Sequence, residues 1–70
     1  MKKFRVSYIF EDHVRTENIV KELNITTEQI FEEQLEKITT NSFLKIHSKQ
    51  GIDRLDTSLI RYIRVSGLND

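Results

Sequence analysis

The chain has 70 residues, no cysteine, proline or tryptophan, and eleven basic against eleven acidic side chains, for a net charge of zero. That length supports one domain with a small core, and the missing cysteines exclude disulfides and thiolate zinc sites. Neutrality removes bulk attraction to nucleic acid, and no apolar run approaches the roughly 20 residues of a membrane-spanning helix.

In chain order, residues 3–10 alternate, with Phe4, Val6, Tyr8 and Phe10 on one face and Arg5, Ser7 and Ile9 on the other. This is the pattern of a half-buried strand. Glu11-Asp12-His13 is a polar break suited to a hairpin turn, and residues 14–20 form a return strand. Val14, Thr16 and Val20 are β-branched there, with Asn18 interrupting that face. The same stretch also fits a helix from Glu17 to Leu23 capped by Thr16, with Ile19, Val20 and Leu23 on one side, so strand and helix both stay open for residues 16–23.

A helix over 27–39 is better specified. Thr26 and Gln29 have capping-box spacing, Ile25 and Ile30 flank that cap as a hydrophobic staple, and Ile30, Phe31, Leu35 and Ile38 form an apolar stripe. Glu28 in the first turn and Lys37 in the last both favour the helix dipole. Strands follow at 43–47, 52–55 and 59–65. Ser48 to Gly51 is a turn whose glycine can supply positive φ, and Asp56-Thr57-Ser58 is one in which Asp56 accepts from amides two residues on. Ser66 to Asp70 is a polar tail.

This ββαββ order, with a possible fifth strand, predicts an α+β domain: an antiparallel sheet of four to five short strands with one helix on one face. The expected core joins Phe4, Val6, Tyr8, Phe10, Leu44, Ile46, Ile63 and Val65 to Ile30, Phe31, Leu35 and Ile38. The other face of the sheet stays open and carries Arg5, Ser7, Ile9, Phe43, Lys45, His47, Ile60, Tyr62 and Arg64. Arg61 falls on the helix side, within reach of Glu36.

Two resemblances follow from these residues. Phe4-Arg5-Val6-Ser7-Tyr8-Ile9-Phe10 with its acidic turn, and Phe43-Leu44-Lys45-Ile46, Gly51, Leu55-Asp56-Thr57, Ile60 and Ile63, resemble small phage and mobile-element proteins of low-GC Gram-positive bacteria. That resemblance covers most of the chain and implies a binder that blocks or redirects a host machine, with no functional residue to carry over. Residues 19–30, IVKELNITTEQI, also look like the helix-turn-helix phrase of bacterial repressors, with the C-terminal strands as a wing. Its second helix would present Glu28, Glu32, Glu33 and Glu36 to DNA, and carboxylates repel phosphate. A helix-turn-helix used only as a scaffold is the alternative fold.

Candidate chemistry is sparse. Glu28, Glu32, Glu33 and Glu36 lack the convergent second element of a metal or catalytic site and read as a solvated face or an acidic docking stripe. His47, Ser48 and Asp53 hold the letters of a hydrolase triad without a nucleophile elbow or oxyanion motif, and neither His13 nor His47 argues for metal. The better candidate is the open sheet face with Arg5, Lys45, His47, Tyr62 and Arg64, where Tyr and Arg can anchor a protein contact.

The expectation is a non-enzymatic protein-binding module without cofactor or metal. It would act as a phage or mobile-element inhibitor or adaptor on a host or defence protein. A nucleic-acid or nucleotide binder using Arg5, Lys45, Tyr62 and Arg64 is the alternative, and a self-assembling structural protein the second. Homo-oligomerisation is open, because a core this small contributes only about 3–5 kcal/mol. The start Met1-Lys2-Lys3-Phe4 has no apolar run after it, so a cytoplasmic protein without membrane contact is expected.

Overall fold

The computed structural model describes residues 1–68. Five strands and one helix run in the order β1 (Lys2–Ile9), β2 (Val14–Lys21), α1 (Thr27–Thr40), β3 (Phe43–Ser48), β4 (Gly51–Asp56) and β5 (Tyr62–Leu68). The α+β class and the antiparallel pairing agree with the sequence. The single sheet does not. The strands divide into a three-stranded sheet of order β2-β1-β5 and a separate β3-β4 hairpin. β2 takes one edge of β1 and β5 the other, so β3 has no edge of β1 to join and pairs with β4 instead.

Residues 14–21 are strand, not helix. Lys2 to Phe4 of β1 pair with Lys21 to Ile19 of β2, which removes the first helix of the helix-turn-helix alternative. Cross-strand pairing over the whole of β1 overrides a helical spacing that three residues supplied. The β-branched face of Val14 and Val20 turns to solvent, each more than half exposed.

Helix α1 forms for the local reasons its sequence contains. Thr26 Oγ1 accepts from the Gln29 amide at 3.1 Å, and the Gln29 side chain accepts from the Thr26 amide at 2.8 Å. Ile25 and Ile30 both pack into the core behind that cap. One expected core residue is misplaced. Positions 30, 34 and 38 lie one turn apart and face the sheet, so Gln34 is buried while Leu35, a further 100° round, is 40 % exposed.

The last strand begins three residues later than expected. Asp56 Oδ1 accepts from the Ser58 amide at 2.9 Å and caps a 3-10 turn over Thr57–Leu59, which takes Leu59 from the expected strand and delays its start. Ile60 then packs against the core instead of joining an open face, and Ser66 to Leu68 belong to β5 and not to a tail. Asn69 and Asp70 lie outside the described residues. Gly51 supplies the expected positive φ, 134°, at the β3-β4 turn.

The core joins Phe4, Val6, Tyr8 and Phe10 of the β1 segment to Ile30, Ile46, Leu55 and Ile63. It lies between the inner face of the three-stranded sheet and a second layer made of α1 and the hairpin. α1 packs closest to β5, and β3 lies nearest β2. Among the described residues no helix is long and apolar enough to cross a membrane.

Candidate partner-binding face

Register determines what the three-stranded sheet presents to solvent. Residues opposite one another share a face, so the outer face has four rows. These are Val20-Lys3-Leu68, Asn18-Arg5-Ser66, Thr16-Ser7-Arg64 and Val14-Ile9-Tyr62. Lys3, Arg5 and Arg64 are its charged groups, and none of the twelve positions is acidic. In a chain of net charge zero, that is a segregation of charge, not an average. The two middle rows are hydroxyl, amide and guanidinium, and Arg5 Nε donates to Asn18 Oδ1 at 3.4 Å. The end rows are apolar apart from Lys3, with Tyr62 56 % exposed beside Ile9 and Val14.

The sequence reading placed Lys45, His47 and Phe43 on this face, and the structure separates them from it. They belong to β3, whose Leu44 and Ile46 point to the core, so the alternate residues lie on the hairpin's other face, where His47 Nδ1 stands 4.0 Å from Glu17 Oε2. Ile60 is absent from the face as well. Arg5, Tyr62 and Arg64 are the expected residues brought together, with Ser7 and Ile9. On the hairpin, Lys45 stands directly opposite Arg54, and the Arg54 guanidinium lies 3.8 Å from the centre of the Phe43 ring. Like charges directly opposite repel, so the aromatic contact and solvent are what hold Arg54 in place.

The acidic helix is not one stripe. Glu28, Glu32 and Glu36 lie on the exposed side of α1, but Glu33 reaches across to Lys21 Nζ at 3.1 Å and ties the helix to β2. Among the described residues no group of acidic or histidine side chains is placed to hold a metal ion. Arg61 does not pair with Glu36. Its amide donates to Ile9 O at 2.8 Å, and it lines a shallow groove with Phe10, His13 and Leu59.

Beneath the sheet the inner face of β2 carries Arg15, Glu17 and Lys21, which the sequence reading did not single out. Each is tied to a different element: Arg15 to Asp53 of β4, Lys21 to Glu33 of α1, and Glu17 to a polar cluster in the core. Glu17 Oε1 lies 3.4 Å from the Tyr8 hydroxyl, and Glu17 Oε2 accepts from the His47 amide at 3.2 Å. Gln34 lies 3.3 Å from the same hydroxyl. One phenolic proton cannot serve two acceptors, so it goes to the carboxylate, and the Gln34 amide satisfies the phenol oxygen by turning its NH₂ towards it. Burial, then the Glu17 charge and its hydrogen bond, push the Tyr8 pKa well above its ordinary value.

This cluster floors a groove of about 530 Å³ between β2, α1 and β3, rimmed by Lys21, Lys37, Lys45 and His47. Both Glu17 oxygens are engaged, so the arrangement braces the two layers. The hydrolase letters are dispersed in the same way: Asp53 pairs with Arg15, and Ser48 closes its turn on Gly51. His13 is half-exposed, bonded to Asp12 at 2.7 Å and stacked on Phe10.

No family model, curated protein or solved structure matches the chain.

Proposed function

We propose that this protein is a binding module that acts by associating with another protein through the outer face of its three-stranded sheet. The observation that carries the reading is the composition of that face: three cations, no anion, a polar middle with Arg5 and Arg64, and ends that are apolar apart from Lys3. Tyr62 and Arg64, adjacent on β5, are of the types that most often anchor interfaces. The partner's matching surface is acidic at its centre and apolar at its margins. The resemblance to phage and mobile-element binders supports an inhibitor or adaptor of a host or defence protein acting in the cytoplasm.

Stacking arithmetic favours protein over single-stranded nucleic acid on this face. A stacking platform uses successive aromatic rings. The face has Tyr62 alone, and Phe43 lies on the other sheet beneath Arg54. The chain is immobilised and used to capture partners from bacterial lysate. A stoichiometric protein should be retained, lost with Arg64→Glu or Tyr62→Ala, and kept with Glu32→Lys and Glu36→Lys. Loss with the helix variants instead would move the site to α1, and no capture at all would count against the proposal.

A second reading rests on the hairpin, where Lys45 faces Arg54 as a cationic pair, with Phe43 and the Asp56 opposite it on the same face. Such a pair suits a phosphate, hence a nucleotide or a nucleic-acid strand. A labelled oligothymidylate should then bind with affinity falling steeply as salt rises, and lose it with Lys45→Glu. Salt-independent binding rejects this reading.

A further inference from the structure

The three-stranded sheet has two outer edges, and they are built differently. Backbone groups in an antiparallel sheet alternate in direction. The Phe10 amide donates to His13 O and the Arg61 amide to Ile9 O, so even-numbered residues of β1 bond towards β2 and odd-numbered ones towards β5. With the observed registers, Val14, Thr16, Asn18 and Val20 turn their N–H and C=O outward on β2, and Ile63, Val65 and Gly67 do so on β5.

Edge strands are protected when charged side chains point inward beneath them. β2 has three such residues, Arg15, Glu17 and Lys21, and β3 lies against it. β5 has none, since its inner face is Ile63, Val65 and Gly67. Beside that edge lies the flank of α1 bearing Phe31 and Leu35. Glu33 reaches β2, and two residues along a helix is about 200° of rotation, so Phe31 and Leu35 lie on the opposite flank. Leu35 there is 40 % exposed.

We infer that β5 pairs with β5 of a second copy of this chain, antiparallel about a twofold axis at Val65, giving a continuous six-stranded sheet. The sequence of β5 selects that register. Centring on Val65 overlaps all seven residues and places Val65 opposite itself, Arg64 opposite Ser66, Ile63 opposite Gly67 and Tyr62 opposite Leu68. Centring on Arg64 sets two guanidinium groups against each other, and centring on Ser66 loses the apolar Tyr62-Leu68 pair. In the second layer Phe31 and Leu35 approach their copies across the seam and cover it. A ladder of seven residues alone makes a small interface, and Phe31 and the exposed Leu35 add apolar surface to it. This proposal concerns the β5 edge and stands apart from the partner-binding reading of the outer face.

Sedimentation equilibrium of the full chain, from about 1 to 100 µM, tests it. The wild type should reach twice the 8.3 kDa chain mass within that range. Val65→Pro, which removes an outward N–H, should shift the association at least tenfold weaker. Leu35→Glu, at an exposed helix position, should do the same while leaving the circular dichroism spectrum unchanged. A wild-type mass of one chain throughout overturns the proposal. So does a dimer whose strength Leu35→Glu leaves unchanged.

Discussion

β2 and β5 flank the same central strand, yet one is fastened down and the other is open. Beneath β2 lie Arg15, Glu17 and Lys21, each tied to a different part of the second layer. Beneath β5 lie Ile63 and Val65, which only pack, and Gly67, which has open space where a side chain would stand. A polar underside costs desolvation unless every group is partnered, and no buried side-chain polar atom among the described residues lacks a partner. The comparison shows two ways of finishing a small sheet. A charged underside closes an edge and fixes the layers to each other; an apolar underside strengthens the core and leaves the edge free to pair.

The largest effect should come from the apolar side. Ile63 is 8 % exposed, and Ile63→Ala should cost about 2–5 kcal/mol, comparable to the whole stability of a domain this small. Urea titration should find the variant largely unfolded at 25 °C; a loss below 1 kcal/mol would mean that β5 is not the apolar anchor described.

On the polar side, Glu17→Ala leaves the Tyr8 hydroxyl and the His47 amide without their acceptor, at about 1–3 kcal/mol. Tyr8→Phe should cost less, about 1 kcal/mol, and carries a pH signature. Because the folded-state pKa of Tyr8 is raised, its contribution is complete below the ordinary 10.0 and is lost as pH rises past it, where the unfolded chain ionises first. Wild-type stability should therefore fall above pH 10, and Tyr8→Phe should flatten that fall. An identical alkaline slope in the two proteins would place Tyr8 outside the account.

Smaller still is Arg15→Ala. Its pair with Asp53 is a third to a half exposed, so solvent screening limits the loss to about 0.2–1 kcal/mol. Thermal melts in low and high salt should show the difference narrowing as salt rises. Val14→Thr and Val20→Thr, on the outer face of β2, should change stability by less than about 0.5 kcal/mol.

How much of this was legible from sequence follows the range of the interactions. The α1 cap was readable because Thr26, Gln29, Ile25 and Ile30 lie within six residues. β1 was readable because its alternation is unbroken. The underside of β2 was not, since the partners of Arg15, Glu17 and Lys21 come from Asp53, Tyr8 and Glu33 in three other segments. Asp56 was recognised as a turn acceptor, but the 3-10 turn it caps uses residues 57–59, which shifted β5 and moved Ile60 inward. The candidate face was half legible: Arg5, Tyr62 and Arg64 share it because β5 pairs with β1, whereas Lys45 and His47 left it once β3 had no edge of β1 to join.

The contrast between the two edges is tested most directly by amide hydrogen exchange at two protein concentrations, about 2 µM and 200 µM, resolved by residue. The account predicts that protection at Ile63, Val65 and Gly67 rises with concentration while Val14, Thr16, Asn18 and Val20 stay unchanged. Protection rising along β2 instead, or along neither strand, would contradict it.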